Sequence, residues 1–399
     1  METIAALRRR MVDLMRGGVH TMDDACAPGL PYYTGYVDGK VFDWDQYFES
    51  ILQLYAGFEH TYIRNVVTLF LKSQEREGHT VRTFPRAFWF QDMAKPFLAQ
   101  STLLLARAGD DLKWFTPELF WRMKKFLMHW LIDHDRRGAG LSTWDCAQST
   151  GMDNHHERAG SFFDNYCEGV DLNCYLVREC EAYALLCDRL RAAMGGECDR
   201  EAATFRAFAR QRREAINRWC WDPREGIYYD YHAVERRPIR VKYVGTFAAL
   251  WAKVADASQA QRLVTEHLLN PAEFWRDWPL PALAATEPGY VEGSLPSDVG
   301  GSASWRAHTW IPTNYYTFQG LRYYGQADAA GQLAAKTAEL FMRRPFRESY
   351  ATQTGEGCGQ DPFWGWSSLA LFMQEELEQQ RDPTMLTAAP FATPALPGK

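Results

Sequence analysis

The helical character of the chain is clearest in residues 51–72, which read ILQLYAGFEHTYIRNVVTLFLK. Apolar side chains recur there at intervals of three and four residues, at Ile51, Leu54, Tyr55, Phe58, Tyr62, Val66, Leu69 and Phe70. This spacing puts them along one face of an α-helix, with the opposite face left to polar residues. We therefore predict one helix across the stretch, packed against a core.

The same period recurs along the chain and predicts about eleven helices. The other stretches are residues 4–15, 96–108, 117–134, 171–193, 202–219, 246–254, 260–269, 312–324, 329–343 and 364–379. Long segments rich in Gly, Trp, Asp and Asn separate many of them, at 28–47, 79–95, 135–170, 221–244, 270–310 and 345–363. Loops this long are usually functional. The pattern predicts an all-α fold, an (α/α) toroid of six helical hairpins with the long loops on one face.

Nothing in the 399 residues has the composition of an interdomain linker. We predict a single domain over residues 1–381 and a C-terminal tail over 382–399, rich in Pro and Ala, that is disordered or bound to the surface. Within the long loops, residues 226–231 (GIYYDY) have the composition of a β-strand.

The charge and cysteine content exclude several classes of partner. The formal net charge is -6 and no long run of Lys or Arg occurs, which argues against nucleic acid and anionic membranes. Nine cysteines without a CxxC pair favour free thiols in a reducing compartment. Residues 1–18 lack the apolar core of a signal peptide and no 18-residue apolar window follows, so we expect a cytoplasmic protein. A homo-oligomer remains possible.

Aromatic residues make up 14 % of the chain, including 15 Trp, and many lie in the loop-like segments. Aromatic faces stack on the C–H faces of sugar rings, so a carbohydrate ligand is one interpretation. A large aromatic core is the other. No metal site or cofactor is predicted, because neither His155 with His156 nor His129 with His134 has a convincing third ligand.

Cleaving a glycosidic bond requires two carboxyl groups. Loop carboxylates beside Gly, Asn and aromatic residues are the candidates, namely Asp145, Asp153, Glu348 and Glu356. From the residues alone each has an ordinary explanation. Asp153 precedes Asn154 in a segment suited to an Asx turn, and Glu348 lies near Arg343, Arg344 and Arg347.

Taken in order, several segments resemble the clan of inverting α-glycosidases that contains glycoside hydrolase family 63, with the mannosylglycerate and glucosylglycerate hydrolases and, more distantly, the trehalases. Residues 42–48 (FDWDQYF) resemble its W-D-x-x-F motif, and 95–100 (KPFLAQ) its Q-P-P-like segment. Residues 149–154 (STGMDN) resemble E-S-G-M-D-N, and 305–310 (WRAHTW) resemble W-R-G-P-x-W. Glu348-Ser-Tyr350 with 363–366 (FWGW) resembles the final E-x-Y…F-x-W block, so the resemblance spans roughly residues 40–372.

The resemblance implies single displacement with inversion, with Asp153 as general acid and Glu348 as general base. In such enzymes the two carboxyl groups stand roughly 6.5–9.5 Å apart, with room for one water. The resemblance also implies that Trp44 and Asp45 line the sugar pocket. We expect further sugar contacts from Phe42, Gln100, Trp144, Asn154, Trp305, Arg306, His308, Trp310, Tyr350, Trp364 and Trp366.

The chain departs from the pattern at Ser149, at Ala307-His308 and at 155–158, which leaves the substrate open. We expect a small α-linked glucoside or mannoside, either a disaccharide or a glycosylglycerate. Loop arginines that could meet an acidic aglycone are Arg82, Arg86, Arg158 and Arg240. Glu356 lies close enough in sequence to Glu348 to be a rival base.

Three alternatives stay open. Sugar epimerases on helical toroids use histidines for proton transfer, and His155, His156, His232 and His308 lie in the loops. A glycan-binding protein without catalysis would tolerate the departures from the motifs. A phosphorylase would use phosphate in place of the base and would leave Glu348 without a role.

Overall fold

Helices dominate the structure, a computed structural model that describes residues 2–86, 93–160, 164–291 and 305–391. The helices are α1 Ile4–Arg16, α2 Asp43–Tyr55, α3 His60–Lys72, α4 Leu98–Arg107, α5 Pro117–Met128, α6 His156–Ala159, α7 Val170–Met194, α8 Glu197–Trp219, α9 Ala248–Trp251, α10 Ala257–Arg262, α11 Ile311–Tyr323, α12 Ala327–Arg343 and α13 Met373–Glu378. π-helical turns at His129–Asp133 and Leu263–Leu268 extend α5 and α10.

An inner ring of helical segments forms the core. Across the described residues, α2, α4, α7, α9, α11 and the 3₁₀ turn Trp366–Leu371 contact one another in that order, and the last contacts α2 again, so the ring closes. Every residue of α2 and α4 is buried, as expected for helices enclosed on all sides. The outer helices α1, α3, α5, α8, α10 and α12 each bury one face. The predicted all-α (α/α) toroid is confirmed.

The single helix predicted across residues 51–72 is wrong, because the stretch contains two helices. The Phe58 N–H donates to the Gln53 carbonyl at 2.9 Å and the Gly57 N–H to the Leu54 carbonyl at 3.2 Å. This hydrogen-bond pair is a Schellman motif, which ends α2 and turns the chain into the outer helix α3. The inner helix begins earlier than predicted, at Asp43, inside the segment expected to be a loop.

Short strands form small antiparallel sheets in the loops. They are β1 Val19–Thr21, β2 Pro31–Tyr33, β3 Val41–Phe42, β4 Thr83–Phe84, β5 Cys167–Glu168, β6 Trp221–Asp222, β7 Ile227–Tyr228, β8 Asp230–His232, β9 Arg237–Ile239, β10 His308–Thr309, β11 Ser349–Ala351 and β12 Gly357–Cys358. The sheets are β1–β2, β3–β4, β5–β8–β9, β6–β7 and β10–β11–β12. The strand predicted over 226–231 is therefore divided between β7 and β8, which belong to different sheets.

The C-terminal segment is bound to the ring as far as the structure describes it. The Arg107 guanidinium donates to the carbonyls of Pro383 at 2.7 Å and Met385 at 2.6 Å. The Trp251 indole donates to the Thr384 hydroxyl at 3.0 Å, and Thr384 is buried. Residues 392–399 of the predicted tail lie outside the described residues.

All nine cysteines are free thiols, and most are buried. In the part of the chain that the structure describes, no helix is both long and apolar enough to cross a membrane.

Candidate active site

The β3–β4 sheet places Arg82 beside the start of α2. Phe42 pairs with Thr83, and the Asp43 N–H donates to the Arg82 carbonyl at 3.1 Å. Arg82 is thereby held at the end of the ring where α2 begins, with its guanidinium 6.0 Å from the centre of the Phe42 ring.

Asp153 lies on the loop that follows the 3₁₀ turn Gln148–Thr150. Gly151 ends that turn with φ +79°, and a Cβ at this position would come within 2.6 Å of Lys95 Cε and 3.0 Å of the Trp44 ring. The loop can therefore press against the first turn of α2 only because residue 151 is glycine. The Asp153 side chain is 50 % exposed, and its Oδ1 accepts a hydrogen bond from Arg82 Nη2 at 3.2 Å.

Glu348 is held from its backbone and from its side chain. It directly precedes β11, which pairs with β10, and its carbonyl accepts from the Trp366 indole at 3.2 Å. Its Oε2 accepts the Gln360 N–H at 3.0 Å. A Cβ at Gly359 would lie 2.3 Å from the same oxygen, so the turn closes around the carboxylate only with glycine there.

Tyr36 connects Glu348 to the inner helix. Its hydroxyl lies 3.2 Å from Asp45 Oδ2 and 3.4 Å from Glu348 Oε1. Its ring packs 5.0 Å from Phe42, between centroids. Asp45 and Glu348 therefore face the same space at the mouth of the ring, although they are about 300 positions apart in sequence.

The electrostatics link the two predicted catalytic carboxyl groups. Burial raises the pKa of Glu348, and the negative charge of Asp153 raises it further, while the Gln360 N–H and the Tyr36 hydroxyl oppose these effects. Burial raises the pKa of Asp45 well above its usual range, and the neighbouring Glu49 and Asp43 add to the shift. Asp45 is thus more readily protonated than an exposed aspartate.

Four tryptophans form a continuous layer between the loops of Asp153 and Glu348. Ring centroids are 5.6 Å apart for Trp44 and Trp305, 3.7 Å for the parallel pair Trp305 and Trp310, and 6.2 Å for Trp310 and Trp366. Asn154 accepts the Trp305 N–H at 3.1 Å and so ties the Asp153 loop to this layer. All four side chains are nearly buried.

Arg306 and His308 belong to the segment that carries Trp305 and Trp310. Arg306 pairs with Glu157 at 2.6 Å and donates to the Gly289 carbonyl at 3.0 Å. His308 is buried and lies 3.0 Å from the Ser349 hydroxyl. Burial lowers the pKa of His308 to about 4, so the imidazole is neutral at neutral pH.

Four of the predicted sugar contacts are buried side chains with contacts inside the protein. Trp144 and Tyr350 are fully buried, and the Trp144 indole donates to Asp171 at 2.9 Å. The Trp364 indole donates to the Thr34 carbonyl at 3.0 Å, and its ring packs towards the end of α1. The Gln100 carbonyl oxygen accepts from Arg178 inside the ring at 2.7 Å. The indole N–H groups of Trp144 and Trp364 thus have internal partners, whereas Gln100 Nε2 and the Tyr350 hydroxyl are buried without a hydrogen-bond partner among the described residues. A sugar contact by any of the four stays a prediction.

The rival base and two of the arginines also lie elsewhere. Glu356 is exposed in the turn between β11 and β12. Arg158 is fully buried between Asp171 at 3.0 Å and Asp230 at 2.6 Å. Arg240 pairs on the surface with acidic neighbours of its own.

The four loop histidines do not form one group. His155 is fully buried and bonds to the Trp305 carbonyl, whereas His232 stacks on Tyr166 at 4.2 Å. His156 is partly buried near the Gly160 carbonyl, and His308 has the Ser349 contact described above. No ring contact between two of these four histidines is among the contacts of the described residues.

The sequence interpretation missed Tyr36 and the buried ion pair under the site. Lys95 Nζ lies 3.0 Å from Asp43 Oδ1, and the Lys95 N–H donates to Asp43 Oδ2 at 2.5 Å. Asp43 and Lys95 lie in the segments 42–48 and 95–100, and no spacing in the sequence indicates that they pair. Tyr36 follows Gly35 in a predicted functional loop, and that aromatic after glycine was the available signal.

A closed ring of helical hairpins with two loop carboxyls at its mouth defines the class of toroidal glycosidases, and solved structures agree at the level of the fold. The mannosylglycerate hydrolase of family 63 from Thermus thermophilus superposes with a TM-score of 0.73 at 18% identity, covering 92% of this chain and 99% of that one. Neutral trehalase from Saccharomyces cerevisiae superposes with a TM-score of 0.62 at 18% identity, covering 92% and 79%.

Comparison of sequences shows the family to which this chain belongs. Residues 40–367 match the mannosylglycerate hydrolase MGH1-like glycoside hydrolase domain, and the chain belongs to this family. Mannosylglycerate hydrolase from Thermus thermophilus is 33% identical over 155 residues, which is 38% of this chain and 34% of that protein. The enzyme of that name from Rubrobacter radiotolerans is 28% identical over 206 residues, 51% and 45% of the two chains. The chain thus matches less than half the length of these relatives.

Proposed function

We propose that this protein is an inverting α-glycosidase that hydrolyses a small α-mannoside or α-glucoside with an acidic aglycone of the glycerate type. Asp153 is the general acid and Glu348 the general base. The observation that carries the proposal is the convergence of these carboxyls, from separate loops, on the mouth of a rigid ring, where the charge of one raises the pKa of the other.

The chemistry follows from the two environments. Asp153 protonates the glycosidic oxygen as the aglycone leaves. Glu348, held by the Gln360 N–H and Tyr36, takes a proton from the water that attacks the anomeric carbon on the opposite face. An α-linked substrate therefore releases the β-anomer. Fixing both groups on one scaffold supplies the orientation that the single displacement needs.

The position of Arg82 supports an acidic aglycone. The general acid marks the leaving-group side of the site, and the Arg82 guanidinium lies 3.2 Å from Asp153 on that side. A guanidinium recognises a carboxylate through parallel N–H bonds, as in its contacts with aspartate. Mannosylglycerate and glucosylglycerate carry such a carboxylate next to the glycosidic bond, whereas neutral disaccharides do not.

The direct test is hydrolysis of mannosylglycerate, glucosylglycerate and neutral α-disaccharides, with the anomeric proton of the released sugar followed by NMR. Initial release of the β-anomer is expected. Release of the α-anomer would overturn the inverting mechanism. Binding of these compounds without turnover would favour a glycan-binding protein, and interconversion of free aldoses without cleavage would favour an epimerase.

Arg82→Gln tests the aglycone. It should raise KM for the glycosylglycerates about tenfold or more, the usual loss for a charge-assisted pair. The KM for a neutral α-glycoside should change much less. An equal rise for both substrates would argue that Arg82 only maintains the loop.

The nine free thiols suit a reducing compartment, and we propose the cytoplasm as the working location.

A further inference from the structure

A cavity lies between helices of the toroid, away from the predicted catalytic pair. It has a volume of about 390 Å³ and lies between α7, α8 and the end of α9. Asp171, in the first turn of α7, contacts Arg158 in the segment that follows Asp153. The helix lines the cavity from Arg178 to Leu185. At 1.5 Å per residue these positions lie about 10–20 Å further along the helix. The cavity is therefore distinct from the space around Asp153 and Glu348.

Basic side chains dominate the lining of this cavity. They are Arg178, Arg206, Arg210, Arg213 and Lys253, and the one acidic residue with them is Glu181. The chain as a whole carries a net charge of -6, so this concentration of positive charge runs against its composition.

Only part of that charge is neutralised internally. Arg213 pairs with Glu181 at 2.7 Å, and Arg206 pairs with Asp188. Among the described residues, no carboxylate lies within ion-pair distance of Arg178, Arg210 or Lys253. Three cations thus face one cavity without a carboxylate partner, and their mutual repulsion falls when an anion enters.

Arg178 provides a rigid floor. It is 2 % exposed, and its guanidinium lies 3.7 Å from the Trp251 ring centre. It donates to Gln100 at 2.7 Å and to the Trp251 carbonyl at 3.0 Å, and also to the Thr384 carbonyl. A guanidinium has five N–H donors, so donors remain after these three bonds. Because the contacts fix the group, little conformational entropy is lost when it binds a ligand.

We propose that this cavity binds a compact polyvalent anion, a phosphate- or polycarboxylate-bearing small metabolite. Arginine clusters select such groups by charge and by parallel hydrogen bonds. The aromatic faces are already occupied, since Arg178 covers Trp251 and Lys253 lies 4.3 Å from the Tyr323 ring centre. Both aromatic rings among the described lining residues thus carry a cation on one face, which leaves less room for a nucleobase to stack and favours a compact anion.

Calorimetric titration with pyrophosphate and with citrate tests the proposal, against sodium chloride at matched ionic strength. The variant Arg210→Gln with Lys253→Asn removes two charges from exposed positions. Asn suits position 253, where φ is +52°. The matched control is Arg200→Gln, which removes an exposed arginine elsewhere on α8.

We expect saturable binding of pyrophosphate or citrate to the wild-type protein. The anion with the lower Kd identifies the ligand class. The double variant should raise that Kd about tenfold or more, and Arg200→Gln should leave it unchanged. An unchanged Kd in the double variant, or loss of binding in Arg82→Gln, would overturn the proposal, because the anion would then bind elsewhere or at the active site. Slower hydrogen exchange of residues 206–213 in the pyrophosphate-bound wild type gives an independent measurement.

Discussion

The carboxyl groups of Asp45 and Glu348 lie on either side of one phenol hydroxyl, that of Tyr36, at 3.2 and 3.4 Å. A phenol has a single proton, so it can donate to only one of them at a time. Burial raises the pKa of both carboxyl groups, and the hydrogen bond donated by Tyr36 lowers that of Glu348. Tyr36 therefore favours the ionised form of Glu348, which a general base needs.

The proposed roles of the two carboxyl groups predict the effect of removing each one. Asp153→Asn and Glu348→Gln should each lower kcat by about 10²–10⁴, the usual contribution of a general acid or base. Thermal unfolding should show that both variants remain folded. Glu356→Gln is the matched control, and its kcat should stay near wild type. A large loss in Glu356→Gln with a mild effect in Glu348→Gln would exchange their roles.

Tyr36→Phe should shift the pH profile in a defined direction. The hydroxyl lowers the pKa of Glu348 by donating to its carboxylate, so its removal raises that pKa. The base must be deprotonated to act, so the acid limb of kcat/KM should move to higher pH. Tyr62→Phe serves as control, since Tyr62 packs against Phe58 on the outer helix α3. A uniform loss of rate with an unmoved acid limb would contradict the predicted hydrogen bond.

Gly359→Ala should damage catalysis more than folding. The new Cβ would lie 2.3 Å from Glu348 Oε2, so the carboxylate must move. A displacement of about 1 Å can cost roughly 10²-fold in rate. Gly325→Ala is a close control, because Gly325 also has a positive φ, +68°, but nothing lies within 4 Å of its Cβ position. Equal activity in the two variants would show that the turn at Gly359 does not hold Glu348.

Glu49→Gln should alter how stability depends on pH. Burial raises the pKa of Glu49 to about 8, above its unfolded value near 4.5. The folded state therefore holds the proton more tightly, and this stabilisation is full below pH 4.5 and lost as pH rises to about 8. The free energy of unfolding of the wild type should fall across this window relative to Glu49→Gln. Exposed Glu214→Gln should follow the wild type, and parallel curves for all three proteins would rule out the shift.

Thr384→Val tests whether the C-terminal segment stabilises the ring. The Thr384 hydroxyl accepts from the Trp251 indole at 3.0 Å and donates to Asp382 at 2.8 Å. Valine keeps the shape but leaves the buried Trp251 indole N–H without its acceptor, whereas Asp382 still accepts the backbone N–H of residue 384, so the expected cost is about 1–3 kcal/mol. Thr204→Val, on the exposed face of α8, should change stability by less than about 0.5 kcal/mol. Denaturant unfolding measures the loss of unfolding free energy in both variants. Equal losses would mean that the C-terminal segment contributes little to stability.

The sequence by itself determined the toroid and the short list of carboxyls. Helical periodicity survives in any sequence that must bury one face of each helix, and the motifs around Asp153 and Glu348 occur in order along the chain. The sequence did not determine the local backbone geometry at the ends of the helices. The boundary between α2 and α3 depends on a Schellman motif at Gly57, which the apolar period crosses without interruption.

Only the tertiary structure decided which of the aromatic side chains contact one another. Trp44, Trp305, Trp310 and Trp366 form one layer, whereas the indoles of Trp144 and Trp364 donate to Asp171 and Thr34, and nothing in their sequence spacing separates the two groups. Whether a side chain faces a substrate or a neighbouring helix depends on contacts between segments hundreds of residues apart. The meeting of Asp45 and Glu348 at Tyr36 is such a contact, because it forms only when the ring closes.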